Sequence, residues 1–450
     1  MPSRFIETSF LAFTTCRSLS EPRSMNISQF SITDPMDIIE ILARETVKPS
    51  SPTPPQNRIY SLSWFDQVSS PMFIPILLFY RHVPHTTTST TTAFSLLKNS
   101  LSKTLSKFYP FAGRIRDRES ILCNDDGVDF LQAKVKLNLS SLLHNPNTEL
   151  LHLLFPDNLQ WSYTRGSTLL AVQVNRFDCG GLAVGVCMSH KLSDAATVVS
   201  FVNCWASTAR NAAEEVSFPV LHVASDLFRR GDLPLPEAVR KTGTGQPTRV
   251  EAVTALLYKS AINASNSVSE TNNTPTTRHL LVQHVNMRPR MAPTLPETAV
   301  GSLSWFFPVS TPEESSGMEQ FLGALVCRMR EGLNKLCTNF AEKFGGEDWF
   351  LAMGEILKEQ RGLLRRSDQE VLRFSSWCRF PVFESDFGWG KPVWVSSVGS
   401  VDKNVFILMD QDENGGGIQV FVTLEEQEML AFERDQELLA FASCNASVLN

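Results

Sequence analysis

The sequence predicts a mixed α/β (α+β) fold in two large domains, and three observations carry that prediction. Strand-like and helix-like patterns interleave from Met36 onward, as they do in layered sheet-and-helix proteins. The 450 residues are 42% hydrophobic and 20% charged, enough apolar matter for more than one core. No internal repeat of short period occurs, which removes solenoids and propellers. Other classes fall away on the same numbers. A formal net charge of −6 argues against nucleic acid as the partner, since phosphate binding wants a basic surface. No apolar run reaches the roughly 18 residues of a membrane-spanning helix. Nine cysteines are scattered and never spaced as CxxC. They predict neither a disulfide framework nor a zinc site, but reduced, mostly buried thiols in a cytosol-like compartment.

The elements follow in chain order. Residues 1–35 hold seven serines, three arginines and two glutamates without a sustained period, and are expected to form an unstructured extension or a targeting segment. From Ile38 to Leu42 the pattern turns strand-like, and the Pro-rich run 48–55 is an extended connector. Residues 62–65 and 73–80 read as short buried strands. Phe94, Leu97, Leu101, Leu105 and Phe108 recur at helical spacing and predict an amphipathic helix over 91–108. The segment Asn124-Asp125-Asp126-Gly127 reads as a hairpin turn between two apolar arms. Residues 169–174 and 181–188 are a strand pair, with a helix over 193–210. Helical patterns cover 250–265, 318–344 and 349–365, a strand is expected over 299–309, and strands alternate with loops over 374–422. The last helix begins near Glu425. The expected division is 1–35 extension, 36–220 first domain, 221–249 a shortened crossover and 250–450 second domain.

Two segments carry chemistry. In Gly181-Leu-Ala-Val-Gly-Val-Cys-Met-Ser-His190-Lys-Leu-Ser-Asp194 a strand runs into His190 and a helix starts just after. Ser193 or Asp194 is positioned as the N-cap, because a short oxygen side chain accepts the free N–H groups of the first turn. Strand ends are where open α/β sheets place reactive groups, and imidazole is the side chain suited to take a proton near neutral pH. The alternatives are structural or differ in chemistry. His190 can be a hydrogen-bonding residue of the loop. A metal pair with Asp194 lacks a third ligand of obvious spacing. Cys187 stands three residues before His190, so on a strand the two point to opposite faces, and no G-x-S-x-G elbow is present. The second segment is Ser375-Ser376-Trp377-Cys378-Arg379-Phe380-Pro381 leading to Asp386-Phe387-Gly388-Trp389-Gly390. Its DFG triplet comes without an HRD loop or a glycine-rich phosphate loop, which removes a kinase. Gly388 and Gly390 around Trp389 read as a tight loop with an aromatic plug.

In this order the two segments resemble the HxxxD and DFGWG motifs of the plant BAHD acyltransferases, in the branch that acetylates alkaloids and terpenoids. The likeness runs from Met36 to about Ser443. It includes Tyr109-Pro110-Phe111-Ala112-Gly113-Arg114, Cys123-Asn124-Asp125-Asp126-Gly127, Pro247-Thr248-Arg249-Val250-Glu251-Ala252 and Val285-Asn286-Met287-Arg288. The resemblance implies two chloramphenicol-acetyltransferase-like domains with a channel between them. It implies acyl-CoA as co-substrate, no permanently bound cofactor or metal, and a small-molecule alcohol or amine as acceptor. It implies a cytoplasmic monomer with neither nucleic acid nor membrane as partner. By the same resemblance His190 is the general base, and Ser375 and Trp377 are the oxyanion donors. Asp194 pairs with Arg288 to orient the loop, and Asp386, Gly388 and Gly390 are structural. Departures are Ala195 after the motif, Ser302 after Gly301 where Asn is usual, and a strand and short helix missing around 235–246. That absence raises a second expectation, a catalytically impaired scaffold.

Overall fold

The computed structural model describes residues 11–17, 38–70, 72–81, 91–156, 166–211, 218–227, 245–273, 275, 277–291, 294–312, 317–343, 349–397, 403–445 and 448. The first strands are β1 (Leu11–Arg17), β2 (Ile39–Val47), β3 (Ile59–Ser61), β4 (Phe73–Tyr80), β5 (Arg114–Ile115) and β6 (Ser120–Leu122). β7 (Val128–Val135), β8 (Leu170–Phe177), β9 (Leu182–Ser189), β10 (Arg278–Asn286) and β11 (Ser304–Ser310) follow. The last are β12 (Gln369–Ser376), β13 (Trp394–Ser396), β14 (Val405–Asp410), β15 (Ile418–Leu424) and β16 (Ala442–Cys444).

Two mixed sheets organise the molecule, which has two domains. A six-stranded sheet has the order β13-β4-β9-β8-β7-β2, and a seven-stranded sheet β11-β10-β12-β14-β15-β1-β16. The small third sheet is β3-β6-β5. Every residue of β4 and β9 is buried, so both faces of these strands are covered and their sequences are continuous apolar runs rather than alternations. The helices Thr91–Lys107 and Ala195–Ala209 are tied together where the Trp205 indole N–H donates to Leu97 O (3.1 Å) and Ser100 Oγ (3.0 Å). In the second domain the helix Arg249–Thr271 starts on a capping box between Thr248 and Glu251. The β13 strand crosses from the second half of the chain and pairs antiparallel with β4 of the first.

Four expectations are corrected. Residues 62–65 do not form a strand. The hydroxyl of Ser63 accepts from Asp66 N, the Asp66 carboxylate accepts from Ser63 N, and this cap starts the helix Trp64–Val68. The arms around Asn124–Gly127 do not form a hairpin: β6 pairs with β3 and β5, whereas β7 pairs with β2 and β8. Asp125 is instead drawn aside by Thr53, whose N–H donates to its carboxylate (3.0 Å), and by Arg58 (3.2 Å). The strand expected over 299–309 begins only at Ser304, because Gly301 and Ser302 are taken into the loop contacts described below. The extension is not without structure: Leu11–Arg17 forms β1, parallel to both β15 and β16. The shortened crossover at 235–246 falls mostly within 228–244, outside the described residues. Among the described residues no helix is long and apolar enough to cross a membrane, and no cluster of His, Cys, Asp and Glu could hold a metal ion.

Candidate active site

His190 follows the last residue of β9, and its backbone N–H donates to Met72 O (2.8 Å), just before β4. The turn beyond it is closed by the Ser193 hydroxyl donating to Ser189 O (2.6 Å). Asp194 is the N-cap of the helix Ala195–Ala209, its carboxylate accepting from Thr197 N (3.0 Å).

That carboxylate also meets Arg288 in a bidentate pair, with Arg288 Nη1 to Oδ2 2.6 Å and Nη2 to Oδ1 3.0 Å. Arg288 is fully buried and donates in addition to Ala299 O (Nε, 3.0 Å), Thr197 Oγ1 (3.0 Å) and Asn286 Oδ1 (3.2 Å). A charge so enclosed is tolerated only with its donors satisfied, and here they are. One guanidinium therefore fastens the His190 loop, the end of β10 and the 299–301 segment to one another. Gly301 has φ +148°, a region that side chains disfavour, and exchanges hydrogen bonds with Thr197 Oγ1 (3.2 Å to its N, 3.0 Å to its O). Its neighbour Ser302 is thereby delivered to the imidazole, with His190 Nδ1 and Ser302 Oγ 2.9 Å apart. The Ser302 N–H donates to the buried Asp66 Oδ1 (2.7 Å).

His190 is partly exposed although strands and loops enclose it. Burial lowers its pKa below the ordinary imidazole value, against the opposing pull of the Asp194 charge. The imidazole is therefore neutral at pH 7. In the tautomer whose Nδ1–H donates to Ser302, Nε2 carries the lone pair. Asp66 is itself pushed up to about 6 by burial, offset by its hydrogen bonds from Ser63 and Ser302 and by the Lys191 charge.

Ser375 lies on β12 and is partly exposed; among the described residues its hydroxyl has no hydrogen-bond partner. Trp377 is 5% exposed, packs with the first domain's core, and its backbone N–H donates to Leu408 O (2.7 Å). Its indole N–H is uncommitted among the described residues. Asp386 stands apart from this group. Its Oδ1 accepts from Gly388 N (2.7 Å) and Gly390 N (2.9 Å), and both glycines have positive φ (106° and 101°). Phe387 is sealed edge-on against Trp205 (centroids 5.0 Å) and Tyr80 (5.9 Å). The structure thus joins Asp194 and Arg288 by direct bonds, ties His190 to them through Ser302 and the Gly301–Thr197 contacts, and sets the Asp386 loop at the Tyr80 end of β4, opposite the Met72 end that meets His190.

Sequence reasoning passed over Asp66 and His284, and met Ser302 only as a departure. Asp66 was detectable from the Ser63-x-x-Asp66 spacing. His284 faces Ser375 across the β10–β12 ladder, and no local pattern announces that.

The chain belongs to the Transferase family, whose model matches residues 38–241 and 231–439; this is the BAHD acyltransferase family, and the protein is an acyltransferase of it. It is 38% identical over 432 residues to akuammiline synthase 1 of Alstonia scholaris, covering 90% of this chain and 98% of that one. It is 35% identical over 439 residues to minovincinine 19-hydroxy-O-acetyltransferase of Catharanthus roseus, covering 90% and 98%. Its structure is similar to that of crystalline vinorine synthase, with a TM-score of 0.74 and 30% identity over 90% of this chain and 98% of the other.

Proposed function

We propose that this acyltransferase moves an acyl group, acetyl first among them, from acyl-CoA to a hydroxyl of a plant alkaloid or terpenoid, with His190 as general base. The observation that carries this reading is the fixed imidazole at the strand end: its Nδ1 is held by Ser302 at 2.9 Å on a partly exposed side chain.

In the reaction Nε2 takes the proton of the acceptor hydroxyl as its oxygen bonds to the thioester carbonyl carbon. The tetrahedral intermediate carries the negative charge on the former carbonyl oxygen. The hydroxyl of Ser375 and the indole N–H of Trp377 are the donors for it, and both are uncommitted among the described residues. Loss of one such donor costs about 10²–10³-fold in rate. The carbon–sulfur bond then breaks and the proton on Nε2 passes to the departing CoA thiolate, so no covalent enzyme intermediate is needed. Asp194 touches no substrate; with Arg288 it holds the loop that aims His190.

Incubating the protein with acetyl-CoA and a plant metabolite extract, with product mass and free CoA as readouts, tests the reading. His190→Ala is expected to abolish transfer while leaving the melting temperature within a few degrees. Unchanged turnover in that variant sinks the role. A CoA-induced thermal shift separates a working enzyme from an impaired scaffold, because a formed site is stabilised by its ligand.

A further inference from the structure

A second imidazole lies within electrostatic reach of His190, and the reaction above gives it no task. His284 lies on β10, directly opposite Phe306 on β11 and Ser375 on β12. Residues directly opposite across a ladder share a face of the sheet. On the same row Ile407 of β14 and Phe421 of β15 pack with the first domain's core, whereas Phe374, Phe406 and Val422, one residue along each strand, belong to the second core. His284 therefore stands on the face that meets the first domain, with Ser375. His190 is close enough for its charge to oppose protonation of His284.

The ring of His284 lies tilted on Phe306, with centroids 5.6 Å apart. It is partly exposed, and among the described residues no hydrogen bond reaches its nitrogens. Burial foremost, then the charges of His190 and Arg373, push its pKa down to about 4. It is thus neutral at physiological pH, with one N–H to donate and one bare nitrogen to accept. So weak a base does not compete with His190 for the acceptor proton. A partly exposed imidazole without a protein partner among the described residues is open to a ligand that enters the site, and an acetyl thioester offers only the one oxygen already assigned to Ser375 and Trp377.

We propose that His284 is a specificity-determining residue that hydrogen-bonds a second oxygen of the acceptor, so that the site selects alcohols bearing a further hydroxyl or carbonyl beside the one acylated. The inference rests on the acyl-transfer reading above. A site built to bond a polar substituent discriminates strongly against the analogue that lacks it, since its own polar group is then left unpaired.

The test compares kcat/KM for cyclohexanol and for its vicinal diol, both with acetyl-CoA, in the wild type, His284→Phe and His284→Asn. The wild type is expected to favour the diol by at least about tenfold. His284→Phe is expected to bring that ratio to within about twofold of unity, through a higher KM for the diol, and His284→Asn to restore part of it. Phe keeps the aromatic packing on Phe306, and Asn keeps a donor and an acceptor, so a fold defect in one does not spoil the other. A wild type that acylates both alcohols without preference overturns the inference. So does a ratio unchanged in His284→Phe, or an equal fall for both alcohols, which would place the ring on the acyl side. A wild type that releases CoA with an acceptor of the metabolite extract but with neither of these alcohols overturns the inference and leaves the acyl-transfer reading standing, whereas one that releases CoA with no acceptor at all fails that reading and the inference with it.

Discussion

The loop at His190 and the loop at Asp386 are both tight turns that carry an aspartate, and they are held in opposite ways. Around His190 the fastening is a charge pair removed from water. Arg288 and Asp194 are 0% and 6% exposed at their side chains and span two domains. Around Asp386 the fastening is mostly backbone, with the partly exposed Arg210 guanidinium alongside, 3.9 Å from the carboxylate and donating to the Asp386 carbonyl. A carboxylate that is partly exposed accepts two glycine N–H groups, and Phe387 fills an aromatic slot beside Tyr80 and Trp205. A buried charge pair is lost outright with either partner, whereas a glycine turn can yield by degrees. The two HxxxD and DFGWG aspartates therefore do different work despite their similar look in sequence.

The contrast breaks most sharply at Arg288. Arg288→Met leaves the Asp194 carboxylate buried and unpaired, and is expected to cost about 3–5 kcal/mol in denaturant unfolding and most of the acyl transfer. Asp194→Asn keeps the helix cap through its amide oxygen but leaves the buried guanidinium without its carboxylate, and a loss of similar size is expected. A much smaller loss in Asp194→Asn, which keeps the cap, would mean that the cap, not the charge, holds the loop. Gly388→Ala comes next: a φ of +106° sets an L-residue against its preference, and a penalty of about 1–2 kcal/mol in thermal or chemical unfolding is expected. No loss there would remove the backbone from the account of that loop. Ser302→Ala should be gentler on the fold and act on His190, lowering kcat with little change in melting temperature, while Ser302→Asn recovers part of the rate. The smallest effect is in pH. Because burial lowers the pKa of His190, the base stays neutral as pH falls below 6.5, and kcat/KM is expected to decline only further into acid. An acid limb at or above 6.5 would contradict that environment.

Much of this was legible in the residues, and the rest was hidden for a physical reason. Strands β4 and β9 announced themselves as unbroken apolar runs, and the Thr91–Lys107 helix by its spacing. The run Leu62-Ser63-Trp64-Phe65 was read by its hydrophobicity, while the reciprocal cap between Ser63 and Asp66 decided for helix. The hairpin expectation failed because turn chemistry is local and strand partners are not. The same limit hid His284: the face a strand residue takes depends on register with β11 and β12, which lie far along the chain. The Asp194–Arg288 bond was expected only through resemblance, since nothing between residues 194 and 288 encodes their meeting. Pairwise geometry across distant segments is the part that a linear reading does not hold.

The β1 strand gives that remoteness a further consequence. It is the first described element of the chain, and it fills the gap between β15 and β16, two of the last. A ribosome delivers its partners only after nearly all the residues that separate them from β1, so until then the segment waits without a ladder to join. Closing so long a loop is a slow step, and slow sheet closure leaves an open edge where other chains can add. The order of assembly is thus written into the fold: β1 can be built in only after the strands that flank it.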